Sequence, residues 1–234
     1  MQRTSISLCG QELTLLPAGG LWWGSEETLI VSDLHLEKGS SYAAKGQMLP
    51  PYDTSATLAE VEAMVSALDP KRIISLGDSF HDGGAEARLC DGDRVRIRAL
   101  TNSADWFWVE GNHDPDPPAS LGGEGRNELR LGKLVFRHEP KGEVGEVAGH
   151  LHPAAKVRAR GRAVRRRCFA TNGHSLILPS LGAYTGGLNI CDAAFVDVFS
   201  RRPDAYVLGG DRVFLLDPKR LEVDVRRPEG LWSL

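Results

Sequence analysis

The residues of this chain best suited to chemistry fall into five short clusters. They are Asp33-Leu34-His35, Gly77-Asp78, Gly111-Asn112-His113-Asp114, His138 and Gly149-His150-Leu151-His152. Of the seven histidines, His35, His81, His113, His138, His150 and His152 lie in or beside these clusters, and His174 alone stands apart. Mixed imidazole and carboxylate donors suit borderline divalent ions such as Mn²⁺, Fe²⁺ or Zn²⁺. Two such ions, roughly 3.5–4 Å apart, need a carboxylate between them and can share a hydroxide that attacks phosphorus in line. Each cluster alone is weak, because an Asp or Asn behind a strand most often makes an Asx turn. All five in order, each behind an apolar run, point to a two-metal centre that hydrolyses phosphate esters.

The runs in front of the clusters are the elements that must position them. Thr28–Ser32, Arg72–Leu76, Trp106–Val109, Leu134–Arg137 and Val144–Ala148 are short, apolar or β-branched, and closed by turn residues, which predicts buried strands. Ligands of open α/β sheets collect beyond the carboxyl ends of the strands, so the five clusters are expected to converge there. A helix is expected after Asp53 as N-cap, with Leu58, Val61, Met64 or Val65, and Leu68 on one face, ended by Asp69-Pro70. A second helix is expected over Asp93–Thr101. Strands alternating with helices imply an α/β core. Beyond Arg167, short strands are expected at Cys168–Thr171, Ser175–Pro179, Phe195–Phe199, Tyr206–Leu208 and Val213–Leu216, completing a sandwich within one domain over 1–234. Trp22, Trp23, Trp106 and Trp108 read as packing residues, the last two on one strand face.

Composition narrows the partners. A net charge of −3 excludes coating of nucleic acid by bulk charge, so such contact must come from a local patch. The four cysteines are far apart with no Cys-x-x-Cys pair, as expected of reduced thiols. No apolar stretch is long enough for a signal peptide core or a membrane span, and a cytoplasmic protein is expected. His174, outside the clusters, reads as structural. The remaining feature is a basic run, Lys156, Arg158, Arg160, Arg162, Arg165, Arg166 and Arg167, beginning four residues after His152. Guanidinium groups pair with phosphate oxygens in a bidentate fork. Arg162, Arg165, Arg166 and Arg167 are therefore candidate nucleic-acid contacts, although charge runs are commonly solvated faces.

From Leu29 to Pro153 the ordered clusters resemble the calcineurin-like metallophosphoesterases. The resemblance implies two β-sheets packed face to face and flanked by helices, a four-layer α/β sandwich. It implies that Asp33, His35 and His152 hold one metal, that Asp78 bridges, and that Asn112, His138 and His150 hold the other. His113 would protonate the leaving oxygen or steady the transition state. Phosphoprotein phosphatases of the family carry Gly-Asp-x-Val-Asp-Arg-Gly, whose Arg clamps phosphate. Here the segment reads Gly77-Asp78-Ser79-Phe80-His81-Asp82-Gly83, with Asp in place of that Arg. A carboxylate there is expected to disfavour a dianionic monoester, and the His81 form is similar to the repair-nuclease branch.

The flanks, Leu34–Ser40, Gly46–Asp53, Gly77–Asp82 and Arg165–Phe169, resemble the small bacterial ligase-associated DNA damage response endonucleases. That resemblance implies Mn²⁺-dependent phosphodiester cleavage of DNA in repair, with a DNA ligase and a helicase as partners. Fe or Zn also fits the ligand set, and a homodimer stays open. Two alternatives remain at this level. One is a phosphomonoesterase or cyclic-nucleotide phosphodiesterase with the same metals. The other is a non-catalytic scaffold, which missing ligands would mark; none is missing.

Overall fold

A computed structural model describes residues 4–116, 119–159 and 162–224. Seven strands form the first sheet in sequence order: β1 (Thr4–Leu8), β2 (Gln11–Leu15), β3 (Leu21–Trp23), β4 (Thr28–Val31), β5 (Arg72–Leu76), β6 (Asp105–Val109) and β7 (Glu124–Arg126). The first four are antiparallel neighbours, and β4 through β7 are parallel. Between them come α1 (Lys38–Ala44), α2 (Asp53–Leu68), α3 (Ala85–Arg88) and α4 (Asp91–Ser103).

The second sheet takes β8 (Leu129–Leu131), β9 (Leu134–Arg137), β10 (Glu146–Ala148), β11 (Pro153–Ala159), β12 (Arg162–Thr171), β13 (Leu176–Ile177) and β14 (Leu188–Asn189). After α5 (Ala193–Phe199) it is completed by β15 (Asp204–Leu208) and β16 (Val213–Leu216). Its order is β14-β11-β12-β13-β10-β9-β8, with β15 pairing to β12 and β16.

Three apolar clusters fix four layers. Ile30, Ile74, Leu76 and Val109 of the first sheet pack with Leu134, Phe136, Val147 and Phe169 of the second. On the other face of the first sheet, Leu29, Val31, Ile73, Trp106 and Trp108 meet Leu58, Val61 and Met64 of α2 and Ile97 and Leu100 of α4. The far face of the second sheet packs Ala155, Cys168 and Ala170 on Phe195 and Phe199 of α5. Because β4, β5 and β6 are covered on both faces, their sequences run apolar without alternation, as buried parallel strands do. The Trp106 and Trp108 rings share one face, with centroids 4.8 Å apart.

The five expected strands and both helices are present, and the two sheets flanked by helices are the expected architecture. Several details differ. Phe195–Phe199 lies in α5, not in a strand, because Asp192 caps the helix through Ala194 N at 3.1 Å. Phe-Val-Asp-Val-Phe satisfies a period of two and a spacing of four alike, and the buried pair Phe195 and Phe199 uses the spacing of four. Asp53 is the first residue of α2 rather than its cap, and its Oδ2 accepts the Gly39 N–H at 2.9 Å instead. The β1–β2 hairpin was not anticipated; Cys9 and Gly10 turn it with φ of 51° and 81°, the signature of a primed two-residue turn. Among the described residues no helix is long and apolar enough to cross a membrane.

Candidate metal centre

All five clusters occupy loops directly behind parallel strands. Asp33 and His35 follow β4, Asp78 follows β5, Asn112 and His113 follow β6, His138 follows β9, and His150 and His152 follow β10. Three of these strands belong to the first sheet and two to the second, so the convergence spans the interface between sheets. Asp33, His35, Asp78, His150 and His152 all hold φ between 44° and 68°. Left-handed backbone costs a non-glycine residue roughly 1–2 kcal/mol, and such strain gathers at functional sites. It is maintained by bonds to neighbouring loops: Asp33 N donates to Gly77 O at 3.3 Å and His35 N to Asp78 O at 2.8 Å.

Two glycines are required by how closely the loops approach. A Cβ on Gly77 would lie 2.4 Å from His138 Nδ1, and one on Gly111 would lie 2.2 Å from the Asp78 backbone nitrogen. Asp114 ties the same loops together, its Oδ2 accepting Ser79 N at 2.8 Å and Phe80 N at 3.0 Å. Burial, seconded by the Asp78 charge, pushes the Asp114 carboxyl up to about 7. Its anchoring role was not anticipated from the sequence.

The donor atoms form two groups that share one member. Asp33, His35, Asp78 and His152 offer ligand atoms within 4.8 Å of one another, and so do Asp78, His138 and His150. Asn112 joins the second group, with Oδ1 2.9 Å from His138 Nε2. Asp33 is fully buried; burial opposes its ionisation, but the His152 hydrogen bond and the His152 and His138 charges leave its pKa lowered. Asp78 is likewise held down at about 2, burial being outweighed by His138 and the His113 backbone N–H.

The chemistry of this donor set asks for cations. His138 Nδ1 sits 3.0 Å from the Leu76 carbonyl and donates to it, so in the neutral ring Nε2 carries a lone pair. That lone pair faces Asn112 Oδ1, His150 Nδ1 at 3.1 Å and Asp78 Oδ2 at 3.4 Å, all acceptors in their ligating forms. On the other side His35 Nε2 and His152 Nε2 face each other at 3.4 Å, with Asp33 Oδ1 3.0 Å from the latter. Acceptors crowded in this way in a buried site are stable around a metal ion. Without one, His138 is drawn toward the imidazolium: burial lowers its pKa, but Asp78 and Asp33 prevail and raise it to about 9. The residues present therefore fit two divalent ions sharing Asp78.

A cavity of about 370 Å³ opens over the first group, lined by His35, Lys38, His81, His113, His152 and Thr185 among others. His81 and His113 are stacked, with centroids 5.2 Å apart. The His113 ring is fixed by Nδ1, 2.9 Å from the His81 carbonyl oxygen, and its backbone N–H donates to Asp78 Oδ1 at 2.9 Å. Burial, with repulsion from Lys38 and His113, lowers the His81 pKa to about 4. Neither Lys38 nor Thr185 was foreseen; Lys38 lies three residues beyond His35, but nothing in its spacing sets it apart from a surface lysine.

The arginine run is the hairpin β11–β12, and none of its four candidate contacts lines that cavity. Arg165 Nη2 pairs with Asp224 at 2.8 Å, which also holds Lys156 Nζ at 3.2 Å, and Arg158 pairs with Glu222 at 2.8 Å. Arg167 turns inward, its Nη1 donating to the Ser180 and Leu181 carbonyls at 2.8 and 3.2 Å. Arg162 and Arg166 are exposed, and Arg160 lies outside the described residues. Asp82 stands where phosphoprotein phosphatases carry the clamping Arg. Its carboxylate is taken by Arg88 Nη2 at 2.7 Å and Gly84 N at 2.9 Å, and it does not line the cavity.

Residues 27–180, well over half of the chain, match the family model for calcineurin-like phosphoesterases. Among solved structures, a Pseudomonas putida nuclease, MPE, is similar to this chain with a TM-score of 0.71 and 27% identity. The similarity covers 92% of this chain and 100% of that one. No protein of curated function matches the chain.

Proposed function

Because the chain belongs to the calcineurin-like phosphoesterase family, we propose that it hydrolyses phosphodiesters, DNA foremost, at a centre of two Mn²⁺ ions. It is a metal-dependent phosphoesterase. The observation that carries the diester reading is Asp78 shared by two donor groups in a site that lacks the phosphate-clamping Arg. The nuclease neighbour supports nucleic acid as substrate. Asp33, His35 and His152 hold one ion, and Asn112, His138 and His150 the other. Bound ions would supply a hydroxide nucleophile and neutralise charge on the phosphate. His113 donates through Nδ1 to the His81 carbonyl oxygen, so a proton given from Nε2 to the leaving oxygen comes from the imidazolium form of the ring. His81 stacks on His113 and keeps that ring in place. The setting implied by resemblance is DNA repair in the cytoplasm beside a DNA ligase and a helicase, by one domain spanning the chain.

The test is metal-stripped protein assayed on an activated aryl diester, the matching monoester and DNA, with Mn²⁺, Fe²⁺ or Zn²⁺ added back. We expect kcat/KM for the diester to exceed that for the monoester, with Mn²⁺ the best activator. A clear preference for the monoester would establish the phosphomonoesterase reading instead.

A further inference from the structure

Lys38 occupies the cavity wall under constraints that few lysines share. Glu37, just before it, turns the chain with φ of 64° and is buried. Glu37 N donates to Thr54 Oγ1 at 2.8 Å, and that hydroxyl donates back to Glu37 Oε1 at 2.9 Å. Gly39, just after it, donates its N–H to Asp53 Oδ2 at 2.9 Å, and a Cβ there would lie 2.6 Å from Asp53 Oδ1. Both flanking residues are thus tied to the first turn of α2, and the backbone of Lys38 is fixed between them. Its side chain lines the same cavity as His35, His81, His113 and His152. No carboxylate lies within 4 Å of its ammonium among the described residues; burial lowers its pKa, against the more distant charge of Asp53. A half-buried, unpaired ammonium is costly unless an anion completes it.

We infer that Lys38 forms a phosphate-oxygen subsite beside the metal centre, in which its ammonium binds a non-bridging oxygen of the substrate. The inference rests on the phosphoester reading of the site and names the cation that stands in for the missing arginine. A lysine acts as a point charge, where arginine offers a two-pronged fork. A single-point contact suits an ester whose phosphorus carries one charge and whose other oxygens face metal.

Inorganic phosphate is the probe, bound to the Mn²⁺-loaded protein and followed by calorimetry. Lys38→Met should weaken phosphate binding by roughly ten- to a hundredfold, the worth of one hydrogen bond to a charged group. Metal stoichiometry should stay at the wild-type value. Lys38→Arg should recover most of the affinity. In turnover of the aryl diester, Lys38→Met should raise KM. Unchanged phosphate affinity in Lys38→Met overturns the subsite, and so does equal loss in Lys38→Met and Lys38→Arg, which would mark a packing position. If wild-type protein cleaves no diester, the proposed substrate class fails, while the phosphate titrations still decide the role of Lys38.

Discussion

Asp78 stands between the two donor groups, and its two oxygens already divide their work. Oδ1 accepts the His113 N–H, while Oδ2 lies 3.4 Å from His138 Nε2 and 3.8 Å from His35 Nε2. Asp78→Asn keeps the shape but removes the charge that would balance two cations. Turnover should fall by roughly a thousandfold or more, the equivalent of several kcal/mol of metal-derived stabilisation. Metal content by elemental analysis should fall with it; a variant that keeps two ions and a near-normal rate would refute the bridge. His113 is different in kind, since no donor group requires it. His113→Ala should leave metal content intact and lower kcat by ~10²–10⁴-fold. The loss should shrink as the leaving group improves, because a good leaving group needs no proton. Equal loss across a leaving-group series would assign His113 to positioning alone.

The hairpin β11–β12 is the element whose role sequence and structure describe differently. Exposed ion pairs are worth ~0.2–1 kcal/mol, so Glu222 and Asp224 lower the free charge of the hairpin without locking it away. Each phosphate contact adds ~0.7–0.9 to the slope of log affinity against log salt. Replacing Arg162 and Arg166 with Gln should flatten the slope for DNA by about 1.5 units, with little change in turnover of the small diester. A slope unchanged by that double variant would make the hairpin a solvated face. Arg167→Gln should instead lower the melting temperature, since its guanidinium serves the Ser180 and Leu181 carbonyls behind Asp33. The run of charge in the sequence shows none of this division, because partners 13 to 68 residues away decide it. The metal ligands were legible for the opposite reason. Each sits directly behind a short, mostly buried strand, so local pattern and function coincide. Lys38 was not legible: its meaning depends on the hold of Thr54 and Asp53 on its neighbours, across 14 to 17 residues. Helix α5 escaped because its pattern fits two periods, and only the cap at Asp192 and the packing of Phe195 and Phe199 choose between them.

At the scale of the molecule, the donor groups lie across the seam of the sandwich. Asp33, His35, Asp78 and Asn112 hang from strands of the first sheet; His138, His150 and His152 hang from the second. Each group draws ligands from both sheets, so ions bound there would fasten the two sheets at one end of their shared core. Metal removal should therefore destabilise the fold as well as stop the chemistry. A ligand present at about a hundred times its Kd adds ~2.7 kcal/mol to the folded state. For a chain of this length that is roughly 5–10 °C in melting temperature. We expect calorimetry of chelator-stripped protein to show such a rise when Mn²⁺ is restored. His113→Ala should keep the rise, since it removes no donor, whereas Asp78→Asn should lose most of it. Hydrogen exchange would place the effect: protection gained with Mn²⁺ should appear in β4 and β5 and equally in β9 and β10. Protection confined to one sheet would mean that the ions sit within a single set of loops. A melting temperature indifferent to metal would mean that the crowded acceptors are satisfied by protons alone. The joint response of both sheets is what two shared ions demand, because neither group of donors is complete within one sheet.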